Sequence, residues 1–351
     1  MKTTIIEVRT SPHLHTNRSV PMIMRNVIYA LIPLCLYGIW LFGISALFLI
    51  VTAVASCVLT EHIGCRILGR ESTIGDGSAV VTGVLIGLIL PPGLPLWMAA
   101  LGGIIAIAPG KLIFGGLGFN LFNPAFVARA FLQAAFPVAI TAYTPALARQ
   151  RFSEFIPSTL AWPFMKAAPL GAWIQRVRID AFTGATPLMQ QKFEHVTTGS
   201  WPLLLGLRAG SAGETCIILI VLCGAYLIAR RMMNWRIPLA MLTSAFLVSG
   251  AFRLLDPSHY PTPWFMLASG GLMLCAFFMA TDPVGAPVTP KGVWIYGALV
   301  GFITVIIRLK GGLPEGVMYA ILLGNALTPL IDDLTQPRTF GALKKAKAVV
   351  A

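Results

Sequence analysis

The chain has 351 residues, of which 56% are hydrophobic and only 11% are charged, and its formal net charge is +13. A soluble domain carries about 25% charged residues, so this chain lacks the polar surface that water requires and must expose much of its surface to lipid. The positive charge does not indicate nucleic-acid binding, because Lys and Arg flank apolar segments and form no basic patch interleaved with aromatic residues. We therefore expect a polytopic membrane protein with the lipid bilayer, and no nucleic acid, as a partner.

The first 25 residues are polar and lack the apolar core and cleavage site of a signal peptide near their start, so we interpret 1–25 as a retained cytoplasmic tail. After them, apolar segments recur along the chain. A helix needs about 20 apolar residues to cross the hydrocarbon core, and several segments reach that length only with flanking polar residues. We predict an all-α protein with ten transmembrane helices: Asn26–Phe42, Ile44–Cys65, Gly77–Pro91, Leu96–Ala108, Phe122–Thr141, Cys216–Ala229, Ile237–Leu254, Trp264–Thr281, Val293–Ile307 and Gly316–Ile331.

The order of these helices predicts five regions. After the tail come a first five-helix membrane repeat (26–141), a long loop (142–215), a second five-helix repeat (216–332) and a basic C-terminal tail (333–351). Lys and Arg, including Lys111, are concentrated in the segments that are cytoplasmic if the N-terminus is inside. The short outer loops hold only Arg253, Arg308 and Lys310. The positive-inside rule then places both termini inside and the long loop on the outer, periplasmic face.

The two halves share an interrupted pattern. The third predicted helix ends in GLILPPGLPLW (Gly87–Trp97), and its counterpart, the eighth, ends in MATDPVGAPVTPKG (Met279–Gly292). The fifth opens with GGLGFNLFNPAF (Gly115–Phe126), and the tenth opens with GGLPEGV and contains GNALTP (Gly324–Pro329). Because each half has an odd number of crossings, the two repeats must be inverted relative to each other. Broken helices at matching positions of inverted repeats are typical of a central binding site or ion path.

The loop contains DAFTGATPL (Asp180–Leu188). In one interpretation this is an ordinary turn with a helix cap, since Asp and Thr are good N-caps. In the other, the small Gly184 and Ala185 leave the Thr186 hydroxyl accessible to an enzyme that modifies it. A phosphoester at Thr186 would then tether a phosphorylated cofactor, with Asp180 assisting the incoming group.

These residues carry a resemblance. Asp180, Thr183, Gly184, Ala185 and Thr186 match the pattern D-x-x-[ST]-G-A-T, on which a flavin transferase attaches FMN to threonine through a phosphoester. Further stretches, from SPHLHTNRS near the start through GGLGFNLFNPA and FFMATDPV to GGLPEGVMYAILLGNALTPLID and QPRTFG, extend the resemblance nearly end to end. The chain resembles the D subunits of Rnf ion-translocating electron transport complexes. It is similar, more distantly, to the B subunits of sodium-pumping NADH:quinone reductases.

The resemblance implies a function. It implies a subunit of a cation-translocating oxidoreductase in the bacterial inner membrane, with no complete active site of its own. Electrons would pass through FMN held covalently at Thr186 on the outer face, coupled to sodium or proton movement. The implied partners are the other membrane and peripheral subunits, among them another flavin-carrying subunit and iron–sulfur subunits that handle NADH and ferredoxin. A second, non-covalent flavin, riboflavin, is also expected, without contacts assignable from the sequence.

Other residues are candidates for contacts with the flavin and for the ion path. Trp173 and Phe182 are candidates to stack on the flavin ring, and the loop cations Arg176, Arg178, Lys192 and Arg208 to offset its charge. The sequence does not assign the residues of the ion path. Ionisable groups in or near the predicted helices are its candidates, namely Glu61, His62, Arg129, Asp282, Asp332 and Asp333. Of these, Arg129 is the best placed inside a helix and needs a partner. The sequence contains no C-x-x-C pair, the spacing that would indicate a metal site.

Two alternatives of other classes remain open at this point. Inverted repeats with broken helices also suit a solute transporter or channel without redox chemistry, which would have no need of a flavin-accepting threonine. A structural scaffold with a vestigial motif would assemble with partners and carry no flavin. The presence or absence of flavin on Thr186 separates these alternatives.

Overall fold

The computed structural model describes residues 19–163, 165, 173, 184–214 and 216–337. Within these ranges the regular elements are helices. In chain order they are α1 (Val20–Phe42), α2 (Ile44–Ile67), α3 (Ser78–Ile89), α4 (Leu96–Ile107), α5 (Pro124–Ala135), α6 (Pro137–Ile140), α7 (Pro187–Glu194), α8 (Ser200–Leu205), α9 (Ile217–Ala229), α10 (Arg236–Leu255), α11 (Pro263–Ala268), α12 (Leu272–Leu274), α13 (Pro290–Lys310) and α14 (Val317–Leu334). A 3₁₀ turn (Ile74–Asp76) precedes α3, and π-helical turns follow α4 (Ala108–Leu112) and α12 (Cys275–Met279).

Among the residues that the structure describes, five helices are long and apolar enough to cross a membrane, namely α1, α2, α10, α13 and α14. Shorter apolar helices, Ser78–Ile89, Leu96–Leu112 and Ile217–Ala229, lie among them. Each of the ten predicted segments coincides with one of these helices or, for the fifth and eighth, with a run of shorter helical pieces. The all-helical membrane fold is thus confirmed, while the number of crossings and their orientation stay predictions.

The helices of the two halves pack in the same order. In the first half α2 packs on α3 and on α4, and α4 packs on α5. In the second half the equivalent helices pair in the same way: α10 packs on α11 and α13, and α13 packs on α14. Between the halves, α1 contacts α9 and α5 contacts α14, so each of these helices meets its own counterpart. This pairing supports the predicted repeat, because a two-fold relation brings equivalent elements together at the axis.

The eighth predicted segment is the most broken. It comprises α11, α12 and a π-helical turn, with Ser269, Gly270 and Gly271 between the first two pieces. Gly270 has φ +64°, which L side chains rarely adopt, so the chain turns there without strain. Carbonyl groups at such a break lose their helical partners and need others, and charged side chains supply them here, as described below.

Two cations that the charge count assigned to loops lie inside the protein. Lys111 is 2% exposed and Arg308 is 3% exposed. Their assignment to loops was therefore wrong, because each lies in a helical turn at the end of its own apolar run: Lys111 in the π-helical turn after α4 and Arg308 in the last turn of α13. Each is a buried functional candidate and should not be counted as a topology signal.

The first part of the predicted loop packs against the helices. The Arg151 guanidinium donates to the Trp40 carbonyl oxygen (2.8 Å), and the Ile44 amide donates to the Arg151 carbonyl oxygen (2.9 Å). The Ile156 amide donates to the Ser45 hydroxyl (3.0 Å). These bonds fix the segment across the α1–α2 turn and make it a cover on one end of the first half.

Candidate functional site

Thr186 is the N-cap of α7. Its backbone is extended (φ −72°, ψ 158°), and its side-chain oxygen accepts a hydrogen bond from the Met189 amide (3.3 Å). Pro187, which has no amide hydrogen to satisfy, occupies the first helical position, where proline is favoured. The local sequence T-P-L-M thus starts a helix at the threonine, as the capping interpretation predicted.

The Thr186 side chain is buried, with 3% of the residue exposed. The expectation of an accessible hydroxyl was therefore wrong for the folded chain. Gly184 (φ +68°) and Ala185 are half-buried and bring the chain onto the helices. Asp180 and Thr183, the remaining residues of the pattern, lie outside the described residues, as do Phe182, Arg176 and Arg178.

Helix α7 is tied to the loop that precedes α14. Lys192 donates to the carbonyl oxygens of Gly311 and Leu313, the latter at 2.9 Å. Leu188 packs next to Gly270 at the break between α11 and α12. The Lys192 ammonium is thus engaged with backbone, and burial lowers its pKa. Lys192 holds the Thr186 helix in place, and its predicted role beside a phosphate is not what its contacts in this structure show.

The other predicted flavin contacts that fall within the described residues are buried. Trp173 is 3% exposed, and its ring nitrogen has no hydrogen-bond partner among the described residues. Arg208 donates to the carbonyl oxygens of Ala268 and Glu214, both at 3.0 Å. Burial lowers the pKa of Arg208 to about 10. The Arg208 guanidinium thus supplies a donor to the backbone at the end of α11, within the broken eighth segment.

A cavity next to α7 surrounds Arg129, and we name it the Arg129 cavity. Met189 of α7, Tyr143, Cys275 and the segment 313–315 line it. Arg129 donates to Glu214 (Nη1 to Oε1, 2.9 Å) and to Glu315 (Nη2 to Oε2, 2.6 Å). The prediction that Arg129 needs a partner is confirmed, with two carboxylates: Glu214 just before α9 and Glu315 just before α14.

Two carboxylates share one guanidinium in this cavity. Gly271 permits the approach, since a Cβ there would lie 2.5 Å from Glu214 Oε1. Burial and the nearby Glu315 charge raise the pKa of Glu214 to about 7, although Arg129 lowers it. The cluster joins α5 of the first half to the segments that begin α9 and α14. It fixes the two repeats against each other beneath α7.

A second cavity surrounds Lys111, and we name it the Lys111 cavity. Apolar side chains form most of its wall, and polar ones line one part of it. The lining includes Ile23, Leu85, Phe277 and Phe278 among the apolar residues, and Ser78, Thr82, Lys111, Asn120, Asn123, Thr281 and Asp282 among the polar ones. Pro124 at the start of α5 also lines it, and Arg129 is about one and a half turns further along the same helix. The two cavities therefore follow each other along α5.

Lys111 forms a buried ion pair with Glu61. Nζ lies 2.8 Å from Glu61 Oε1, and the side chains are 2% and 0% exposed. Nζ also donates to Ser78 Oγ (2.6 Å), and Thr73 donates to Glu61. Glu61 Oε2 has no partner within the described part of the chain. Glu61 was a predicted candidate, whereas Lys111, Glu214 and Glu315 were missed.

The other ion-path candidates have local roles. Asp332 accepts hydrogen bonds from the Val288 and Thr289 amides (3.1 Å each), next to the start of α13. Asp282 accepts from the Val284 amide (3.2 Å) and lines the Lys111 cavity. His62 is half-buried, and Asp333 is exposed. Asp282 is thus the member of this group that lines the Lys111 cavity.

Comparison with known proteins identifies relatives over nearly the whole chain. The model of the NQR2, RnfD, RnfE family matches residues 7–341. The D subunit of the proton-translocating ferredoxin:NAD(+) oxidoreductase complex of Clostridium ljungdahlii is 41% identical, covering 97% of this chain and 98% of the relative. The D subunit of the Na(+)-translocating ferredoxin:NAD(+) oxidoreductase complex of Acetobacterium woodii is 40% identical, with 99% and 98% covered. The D subunit of the ion-translocating oxidoreductase complex of Halorhodospira halophila is 36% identical, with 95% of each chain covered.

Proposed function

The chain belongs to the NQR2, RnfD, RnfE family, and from that premise we propose that it is the D subunit of an ion-translocating ferredoxin:NAD⁺ oxidoreductase complex, carrying FMN on Thr186. The chain works as part of a translocase, because its relatives are subunits of such complexes. It would lie in the bacterial inner membrane, with ferredoxin and NAD⁺ handled on iron–sulfur and flavin-carrying partner subunits. Those partners, and a flavin transferase for maturation, follow from the proposal.

The observation that carries the FMN proposal is the position of Thr186. Its side-chain oxygen stands at the N-terminus of α7, where backbone amides point away from the helix. A phosphate at a helix N-terminus is stabilised by these amides and by the helix dipole. The oxygen of a phosphoester remains an acceptor, so the bond from the Met189 amide can persist after modification. The motif and the local structure thus fit a phosphoester at the same atom.

When bound, FMN supplies the redox chemistry, and the protein supplies position and electrostatics. Lys192 and Leu188 hold α7 against the loop before α14 and the broken segment. Arg129, Glu214 and Glu315 hold those segments against the first half. The proposal therefore gives these residues a shared task, which is to fix the Thr186 helix relative to both repeats.

The proposal also includes a second, non-covalent flavin, riboflavin, which the family resemblance implies. It has no contacts assigned to residues of this chain.

The test measures flavin on the chain itself. The chain is expressed with a flavin transferase, as wild type and as Thr186→Val, and the purified chains are examined by intact mass and in-gel fluorescence. We expect a fluorescent wild-type band with the mass of one FMN added and one water lost, and no adduct in Thr186→Val. Thr197→Val, in the exposed segment after α7, is the matched control and should carry the adduct.

Other outcomes change the conclusion. An unmodified wild-type chain, from cells that flavinylate another protein, would overturn the FMN proposal. A solute channel or a scaffold would then be the better interpretation of the repeats. An adduct that persists in Thr186→Val would keep the flavin and move its attachment to another residue.

A further inference from the structure

We propose that His195 and His259 form a binding site for a divalent transition-metal ion, Zn²⁺ in the first place, and that the bound ion ties α7 to the loop between α10 and α11. The two histidines come from different segments of the chain. His195 directly follows α7, and His259 lies between α10 and α11. The site contains no residue of the flavinylation motif and needs no flavin, so the proposal goes beyond the proposed function.

The two imidazole rings lie next to each other at the surface of the protein. The ring centroids of His195 and His259 are 5.0 Å apart, the ring planes are inclined by 47°, and both residues are exposed. In a tetrahedral zinc site each ligating nitrogen lies about 2.0–2.1 Å from the ion, which places the centres of two imidazole rings about 5 Å apart. The observed spacing is therefore the spacing of two imidazoles that share one ion.

The segment that carries His195 is anchored. Lys192, in the last turn of α7, donates to the carbonyl oxygens of Gly311 and Leu313, the latter at 2.9 Å. His195 itself is the C-cap of α7, in the left-handed conformation (φ 55°, ψ 22°). Few residues other than glycine adopt this conformation, and those that do are often found at ligand sites. The end of α7 is thus fixed immediately before the first proposed ligand.

The segment that carries His259 is anchored as well. The Asp256 carboxylate accepts hydrogen bonds from the amides of Ser258 (3.0 Å) and His259 (3.2 Å). The His259 ring meets the Tyr260 ring edge to face, with centroids 5.1 Å apart, and Lys310 Nζ donates to the Tyr260 hydroxyl (2.9 Å). Because both ligand segments are held by bonds of their own, little ordering is required when an ion binds.

The donor atoms select the class of ion. Imidazole nitrogen suits Zn²⁺ and the neighbouring transition metals, whereas Mg²⁺ and Ca²⁺ prefer oxygen ligands. Within the part of the chain that the structure describes, no cluster of three or more His, Cys, Asp or Glu side chains could hold a metal ion. Water would therefore complete the coordination, as it does at zinc sites with an open position. Such an ion exchanges with the surrounding solution, which suits a regulatory site.

An ion bound by this pair would act on the helix that begins with Thr186. Thr186 is the N-cap of α7 and His195 is its C-cap, so the two residues lie at opposite ends of one eight-residue helix. The metal–nitrogen bonds would have to break before α7 could leave its place. Zinc would therefore favour the docked helix, in which Thr186 is 3% exposed. The pair gives the protein a metal-dependent control over the release of α7.

The test measures zinc affinity and local amide exchange on the purified full chain, expressed without a flavin transferase. The dissociation constant for Zn²⁺ is measured by competition with a chromophoric chelator. Hydrogen exchange of the 188–194 amides is then recorded with and without Zn²⁺. His195→Asn and His259→Asn each remove one ligand, and asparagine tolerates the left-handed conformation at position 195. The double variant His13→Ala with His15→Ala is the matched control, because it removes the other two histidines that are close in sequence.

We expect zinc to slow the exchange of these amides in the wild type and in the matched control. At a free Zn²⁺ concentration ten times the dissociation constant, the released fraction of α7 should fall about tenfold, because an ion that binds only the docked helix shifts the equilibrium by the ratio of its concentration to that constant. Mg²⁺ should have no effect. His195→Asn and His259→Asn should each lose the response and bind zinc at least about tenfold more weakly.

Three results would overturn the proposal. If saturating zinc leaves the exchange of the wild-type helix unchanged, the two rings only stack on each other. If the response persists in either His195→Asn or His259→Asn, the two histidines do not share an ion. If it disappears in the His13→Ala, His15→Ala control, the ion binds near the N-terminus. The assay contains no flavin, so its outcome and that of the FMN test are independent.

Discussion

Two buried cations occupy equivalent places in the two repeats, and their partners differ. Lys111 follows α4 and Arg308 ends α13, and each precedes the sequence Gly-Gly-Leu. Lys111 binds side chains, Glu61 and Ser78. Arg308 binds backbone, donating to the carbonyl oxygens of Met266 (2.6 Å) and Ser269 (3.1 Å) at the broken segment.

Equivalent positions of the two repeats therefore have different roles. A lysine is a compact point charge, and Lys111 pairs with one carboxylate and one hydroxyl. An arginine stays charged and offers several donors in a fixed plane, which suits the satisfaction of carbonyl groups freed by a helix break. The first half thus has a buried side-chain ion pair at this position, and the second half has donors to the backbone of the broken segment.

Among the changes that test this comparison, the removal of Lys111 should cause the largest loss of stability. Lys111→Met leaves Glu61 buried without its cation, and breaking a buried ion pair in this way costs about 3–5 kcal/mol. We expect a corresponding loss of thermal stability of the purified chain. The double variant Lys111→Met with Glu61→Gln should recover part of it, and Lys291→Met, at an exposed lysine, should have almost no effect. Equal losses in the single and double variants would contradict the argument.

Glu214, like Glu61, is a buried carboxylate paired with a cation. Its protonation predicts a pH dependence of the free energy of unfolding. Its pKa in the folded chain is raised to about 7 by burial and by Glu315, above the value of about 4.3 in an unfolded chain. The folded chain therefore binds this proton more tightly, and the free energy of unfolding should fall as pH rises from about 4.3 to about 7. Melting curves from about pH 5 to about pH 8 should show a smaller fall in Glu214→Gln than in wild type.

An exposed carboxylate in the same region serves as the control for this pH effect. Glu194 at the end of α7 is exposed, so Glu194→Gln should keep the wild-type pH dependence. A Glu214→Gln chain with an unchanged slope would show that Glu214 does not titrate in this range.

Arg308→Lys tests the structural role in the second half. A lysine cannot reproduce the two parallel bonds, so one carbonyl group of the broken segment loses its donor. An unsatisfied buried polar group costs about 1–3 kcal/mol, which we expect as lowered thermal stability. Arg253→Lys is the control, because Arg253 is only half-buried and bonds to the Tyr260 carbonyl oxygen near the surface (2.9 Å). Equal effects of the two changes would remove the contrast with Lys111.

The smallest expected effect concerns the cap of α7. Replacing a threonine N-cap by a residue without an acceptor costs about 1 kcal/mol, and Thr186→Val should therefore loosen α7 and its link to the loop after Arg308. Hydrogen exchange of the 187–194 amides should rise in Thr186→Val and stay near wild type in Thr186→Ser, which keeps the oxygen. No change in Thr186→Val would mean that Lys192 and Leu188 alone hold the helix.

The sequence predicted the helices well because their signals are local. Apolar runs, prolines at first turns and glycine-rich breaks placed the bounds of α2 and α10 within a few residues. The motif at Thr186 and the need of Arg129 for a partner were also found from the sequence. Lys111 and Arg308 were misplaced because a charge at the end of an apolar run predicts an interface by default, and only packing shows that it turns inward. Glu214 and Glu315 were missed because their partner Arg129 is 85 and 186 residues away.

The cap at Thr186 sets a constraint on how the proposed holoprotein is made. A transferase must surround the threonine to esterify it, yet in the folded chain this residue is 3% exposed and its oxygen is engaged with the Met189 amide. Attachment must then precede the docking of α7 or follow its temporary release. Flavin loading then depends on the timing of α7 docking: a chain that folds before it meets the transferase can be esterified only when this eight-residue helix is released again.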